Sequence, residues 1–128
     1  MKNIKKDNKK KGGWAEGTAA RYLEQKGHQI IERNYAQWTG EIDIISKDQQ
    51  TVVFTEVKYR KELTHGTPGQ AVSYAKQRHI IRTALLYLQD HQLFESNIRF
   101  DVVEVLRRED GKAMIRHIPD AFQADRSF

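Results

Sequence analysis

Three side chains within a short stretch could handle a phosphodiester: Asp43, Glu56 and Lys58. They sit among apolar residues, in the runs Gly40-Glu41-Ile42-Asp43-Ile44-Ile45-Ser46 and Thr51-Val52-Val53-Phe54-Thr55-Glu56-Val57-Lys58. Charges inside such core-like runs are costly to bury unless they are paired or put to use. Carboxylate oxygens, completed by water and a backbone carbonyl such as that of Val57, suit Mg²⁺ or Mn²⁺. The ion would activate a water and neutralise charge on the phosphate. Lys58 would orient that water or meet the charge of the transition state.

For this chemistry the two runs must form a β-hairpin. Both are rich in β-branched residues, and the turn-like Lys47-Asp48-Gln49-Gln50 separates them. Residues two apart on a strand share a face, so Phe54, Glu56 and Lys58 point one way and Val53, Thr55 and Val57 the other. A turn centred on Asp48-Gln49 sets Ser46 opposite Thr51, Asp43 opposite Phe54 and Glu41 opposite Glu56. Asp43 and Glu56 are then diagonal neighbours with Cβ atoms roughly 7 Å apart, near enough for one cation. Ile42 and Ile44 are expected on the opposite, uncharged face. A slip of one residue would turn Asp43 away from Glu56. A bland alternative, an edge strand charged against aggregation, leaves unexplained why three charges converge on one face.

Gly40-Glu41-Ile42-Asp43 followed by Glu56-Val57-Lys58 resembles the Asp…Glu-x-Lys signature of the restriction-endonuclease-like superfamily, often written PD-(D/E)XK. The wider pattern is similar to the YraN-like family of small bacterial proteins in that superfamily. It includes Trp14-Ala15-Glu16 opening a helix, Asn34-Tyr35 before the hairpin, and Arg99-Phe100-Asp101-Val102-Val103. The similarity spans about residue 12 to residue 122, with Gln49 standing where the pattern expects glycine. The resemblance implies a metal-dependent nuclease acting on DNA, with Asp43 and Glu56 holding Mg²⁺ or Mn²⁺. Similarity to Holliday junction resolvases extends the substrates to branched or single-stranded DNA and implies that Glu16, on the first helix, completes the metal site. Lys76 matches a lysine that recurs near the site in similar proteins. The rival reading is a nucleic-acid-binding or partner-docking module that keeps the scaffold without turnover.

The 128 residues make one domain, with a net charge of +5 that favours an anionic partner. There is no cysteine, so disulfides, thiolate zinc sites and a cysteine nucleophile are excluded. No window reaches the ~18 apolar residues of a membrane span, and no signal-peptide core follows the basic start, so a cytoplasmic location is expected. Residues 1–12, with six lysines up to Lys11, read as a disordered basic arm ahead of a single nuclease-like domain over 13–122 and a frayed end at 123–128.

The remaining elements follow in order. Trp14 to Lys26 has Ala15, Ala19, Tyr22 and Leu23 at helical spacing, and Gly27 stops it. Glu16 lies at the border of that stripe, where a first-turn glutamate also suits the helix N-terminus. Gln29 to Tyr35 is expected as a strand antiparallel to that of Asp43, with Ile30 and Ile31 anchoring opposite faces. Trp38 follows, placed to pack over the sheet edge or to stack on an unpaired base. Arg60 to Gly69 reads as a loop, a lid or DNA-contacting segment, in which His65 is simply solvated. Gln70 to His91 is a helix with Val72, Ala75, Ile80, Ala84, Tyr87 and Leu88 on its apolar face. Arg60, Lys76, Arg78 and Arg82 are the cations expected to meet backbone phosphates. Asn97 to Val105 is a strand parallel to that of Glu56, since a helix intervenes. Its Asp101 is expected to pair with an arginine. Asp110-Gly111 turns into a last strand, Ala113 to Ile118, closed by Pro119, and Ala121-Phe122 packs back on the domain. The order αβββαββ predicts an α/β fold, a restriction-endonuclease-like core with a mixed central sheet flanked by helices. Oligomeric state is not legible, although a nuclease cutting both strands is often a homodimer.

Overall fold

The computed structural model describes the backbone of residues 4–61 and 72–124, and side chains within those bounds from residue 12 onward. His65 and the rest of the segment between Lys61 and Val72 lie outside the described residues, as does the end of the chain beyond Ala124.

The elements are α1 (Ile4–Gln25), β1 (Gln29–Gln37), β2 (Gly40–Asp48), β3 (Thr51–Arg60), α2 (Tyr74–Asp90), β4 (Asn97–Arg107) and β5 (Ala113–Phe122). The expected α/β order αβββαββ is therefore present. Among the described residues one five-stranded sheet runs β1-β2-β3-β4-β5, its neighbours antiparallel except for the parallel pair β3 and β4. α2 supplies the crossover between those two parallel strands.

Each helix covers one face. Ile80, Ile81, Ala84, Tyr87 and Leu88 of α2 pack on Tyr35, Ile42, Ile45, Val52, Phe54, Phe100 and Val102. On the opposite face Ala15, Ala19, Ala20 and Leu23 of α1 pack on Ile44, Val103 and Val105. Small alanines let α1 lie close to the sheet, and Glu16 follows directly on buried Ala15. Past Gln25, His28 N donates to Leu23 O at 2.9 Å and Gly27 N to Glu24 O at 3.0 Å. Gly27 adopts φ 96°, the left-handed conformation that this kind of helix stop requires.

Several expectations need correction. α1 begins at Ile4 rather than Trp14, so the lysine-rich segment expected as a disordered arm carries its first turns; lysine is a good helix former. Ile31 is 44% exposed, because β1 shifts register between Ile30 and Glu32 and the intervening residue leaves the ladder. Ala75 is exposed, since α2 starts at Tyr74, capped by Ser73 Oγ accepting from Lys76 N. β5 runs on through Pro119 to Phe122 by way of a second register shift; an edge strand tolerates proline at such a place. Phe122 then stacks on Phe100 at 5.1 Å, so this end does pack back.

The hairpin register also differs. Asp48 pairs with Thr51 and Ile45 with Phe54, so the turn is the two residues Gln49-Gln50, with Gln49 at φ 55°. The shift from the expected alignment is an even number of residues, and the faces of β3 are kept. β2 is different: Ile42 joins the α2 face and Ile44 the α1 face, although they are two apart. The strand rotates between them, at Asp43.

Candidate active site

Asp43 marks the place where β2 and β3 part. Their ladder ends at Ile44 and Thr55, and beyond it Val57 N donates to Asp43 Oδ2 at 2.8 Å. A side-chain carboxylate thus takes over from a strand carbonyl and satisfies an amide that separation would orphan. The parting strands and α1 enclose a cavity of about 690 Å³, lined by Glu16, Arg33, Asn34, Glu41, Asp43, Glu56, Val57 and Tyr59 among others.

Among the described residues four carboxylates face this space. Ligand oxygens of Glu16, Glu41 and Asp43 lie within 4.8 Å of one another. Asn34 sits at φ 55°, a conformation that asparagine tolerates better than most residues. In the orientation its neighbours require, its amide nitrogen is 2.8 Å from Glu16 Oε1 and 2.9 Å from Glu41 Oε1. Glu56 is buried, with Lys58 Nζ 3.6 Å and Lys76 Nζ 4.0 Å from its Oε1.

The electrostatics follow from this crowding. Burial, and then the charge of Asp43, push the Glu56 carboxyl up to about 7 against the opposing pull of Lys76 and Lys58. Burial and Asp43 likewise push Glu16 up to about 7, with Arg33 opposing. Two carboxyls therefore exchange protons near neutrality, the range in which general acid–base catalysis is most effective. Glu16, Glu41 and Asp43 also offer three hard oxygen donors within reach of one ion, and its positive charge would offset the repulsion that raises Glu16. The donor set fits Mg²⁺ or Mn²⁺.

The other residues named from the sequence are placed as follows. Lys58 and Lys76 reach Glu56. Of Val57, the N–H is engaged with Asp43. Arg60 donates to buried Glu104 at 3.0 Å, and Arg116 does so at 2.6 Å, so Arg60 is tied to the sheet rather than presented for phosphate. Arg78 lies over the Tyr74 ring at 5.8 Å, and Arg82 is exposed on α2. Trp38 is 86% exposed at the β1–β2 turn, so it does not pack over the sheet edge. Asp101 is buried and accepts two hydrogen bonds from Arg99, at 2.8 and 3.0 Å, the arginine pairing expected of it.

Glu41, Arg33 and Asn34 also belong to the cavity. Glu41 was legible in principle, since it is two residues from Asp43 on the same strand. Arg33 and the role of Asn34 were not, because they depend on the irregular backbone of β1.

A mixed sheet with a helix on each face, and an acidic cavity where its second and third strands part, define a protein of the α/β class consistent with a restriction-endonuclease-like core. The chain belongs to the uncharacterised protein family UPF0102, whose family model matches residues 15–105. It is similar to the UPF0102 protein of Syntrophotalea carbinolica, 43% identical over 89% of this chain and 92% of that one. The UPF0102 protein of Trichlorobacter lovleyi is 42% identical over 95% of this chain and 97% of its own. That of Clostridium acetobutylicum is 41% identical over 91% and 96%. Among the described residues no helix is long and apolar enough to cross a membrane.

Proposed function

We propose that this chain is a metal-dependent phosphodiester hydrolase acting on DNA. The observation that carries the reading is the convergence of Glu16, Glu41, Asp43 and Glu56 on one cavity, with Lys58 beside Glu56. Glu16, Glu41 and Asp43 would hold Mg²⁺ or Mn²⁺, with Glu56 completing the set from β3. The bound ion would supply Lewis-acid activation of the attacking water and charge neutralisation at the phosphate. Glu56, buried beside Lys58 and Lys76, would be the donor from β3 in that set. Lys58 and Lys76 keep positive charge beside Glu56, where the transferred phosphate would develop negative charge. Arg33, which lines the cavity, would meet a neighbouring phosphate of the same strand.

The test is incubation of the protein with linear, single-stranded and branched DNA, with Mg²⁺ or Mn²⁺ and with chelator, alongside Asp43→Asn. Metal-dependent cleavage by the wild type that the variant lacks supports the reading. Equal inertness of both across the panel, under either metal, sinks it and leaves a binding module on the same scaffold.

A further inference from the structure

We infer that Trp38 is a stacking platform for an unpaired nucleobase, so that the chain takes nucleic acid with a single-stranded stretch next to the acidic cavity. The inference rests on the phosphodiesterase reading for the identity of the ligand and adds the substrate class.

An isolated exposed aromatic is by itself unremarkable. Trp38 is set apart by how firmly its turn is held. Gln37 pairs with Gly40 across the end of the β1–β2 ladder, leaving Trp38-Thr39 as a two-residue tip. Thr39 is buried, and its Oγ1 lies 2.7 Å from Thr83 Oγ1 of α2. Thr83 in turn donates to His79 O at 2.8 Å. Gly40 adopts φ 144°, and a Cβ there would meet His79 Cβ and Thr83 Oγ1 at 3.5 Å. One residue of the tip is thus clamped into α2, and the other is 86% exposed. The indole is presented on a braced support, which lowers the ordering cost of stacking.

The surroundings select the ligand. Arg82 is exposed on α2, next in sequence to Thr83, which holds the tip. An exposed arginine on the helix that braces the tip suits a phosphate of the same strand. Trp38 precedes Asp43 by five residues, at most about 17 Å. A few nucleotides of one unpaired strand span that interval. Bases in an intact duplex are stacked on one another and do not offer a free face, so the platform selects unpaired ones.

The experiment uses the full chain in chelator, where no cleavage occurs, and reads fluorescence anisotropy of three labelled probes. These are an oligothymidylate, an abasic strand of equal length, and a blunt duplex. The wild type is expected to bind the oligothymidylate about five- to 150-fold more tightly than the abasic strand, the range of one base–aromatic stack. Trp38→Ala loses most of that preference, Trp38→Phe keeps most of it, and neither alters affinity for the abasic strand. Arg82→Ala weakens all three probes alike. Equal affinity of the wild type for the oligothymidylate and the abasic strand overturns the inference without any variant. So does a Trp38→Ala chain that binds like the wild type, as it would if the indole met a protein partner. Base-dependent binding without cleavage under any metal upholds the platform and ends the nuclease reading. Cleavage indifferent to Trp38, with no base-dependent binding, does the reverse.

Discussion

Val57 N donates to Asp43 Oδ2 across the gap where β2 and β3 cease to pair. The same carboxylate that faces the cavity therefore also closes the sheet, and charge and hydrogen bond can be separated by substitution. Asp43→Asn keeps an acceptor for Val57 and removes a negative charge that raises Glu16 and Glu56. The variant is expected to melt at or above the wild-type temperature while losing metal-dependent cleavage by on the order of 100-fold or more. Asp43→Ala, which leaves the Val57 amide unmatched, should melt lower by about 1–3 kcal/mol of stability. An Asp43→Asn chain that cuts normally would remove Asp43 from the chemistry.

Proton uptake by the cavity gives a second expectation. Glu16 and Glu56 titrate near pH 7 in the folded chain, against 4.5 for an ordinary glutamate. The folded state holds these protons more tightly than the unfolded state. Their contribution to stability is complete below about pH 4.5, declines through pH 7 and is gone above it. His28 works in the opposite sense, since burial lowers its pKa. The comparison is therefore between wild type and Glu16→Gln, which should gain on the wild type as pH rises from 5 to 8. Mn²⁺ must displace the same protons, so it should raise the melting temperature more at pH 8 than at pH 6. Melting indifferent to the ion at pH 8 would count against a metal site here.

Thr55 offers a prediction independent of function. Its Oγ1 is buried without a hydrogen-bond partner among the described residues. Thr55→Val removes a desolvated hydroxyl at nearly constant volume. Chemical denaturation should show a gain of about 1 kcal/mol, and a clear loss would mean that the hydroxyl is satisfied in solution.

The hairpin turn supplies another. Gln49 adopts φ 55°, which disfavours any residue with a Cβ by roughly 1–2 kcal/mol. Gln49→Gly relieves that strain, partly offset by the greater freedom of glycine in the unfolded chain. A rise in melting temperature of a few degrees is expected, with metal response unchanged. A lower melting temperature would show that the Gln49 side chain makes contacts worth more than the strain.

Much of this architecture could be read from the residue pattern, and the misses have a common origin. Alternation in β3 was regular, so Phe54, Glu56 and Lys58 were assigned to one face correctly. The glycine stop after α1, the parallel crossover through α2 and the arginine partner of Asp101 followed from local rules. What escaped was irregular backbone: the shift at Ile31, the positive φ of Asn34 and the rotation of β2 at Asp43. Those three features draw Asn34, Glu41 and Glu16 together around Asp43. A period-two reading assumes a straight ladder, and this site is built where the ladder stops.

The neighbour order of the sheet, identical to the order of the strands along the chain, bears on how the protein is made. All four cavity carboxylates precede residue 57, and β1, β2 and β3 pair in chain order, so this half can begin to assemble while the remainder is still being translated. β3, however, waits for β4, its partner on the far side of α2. Until then the edge bearing Val52, Val53 and Phe54 is bare, and the nascent chain is most exposed to misassociation during that interval.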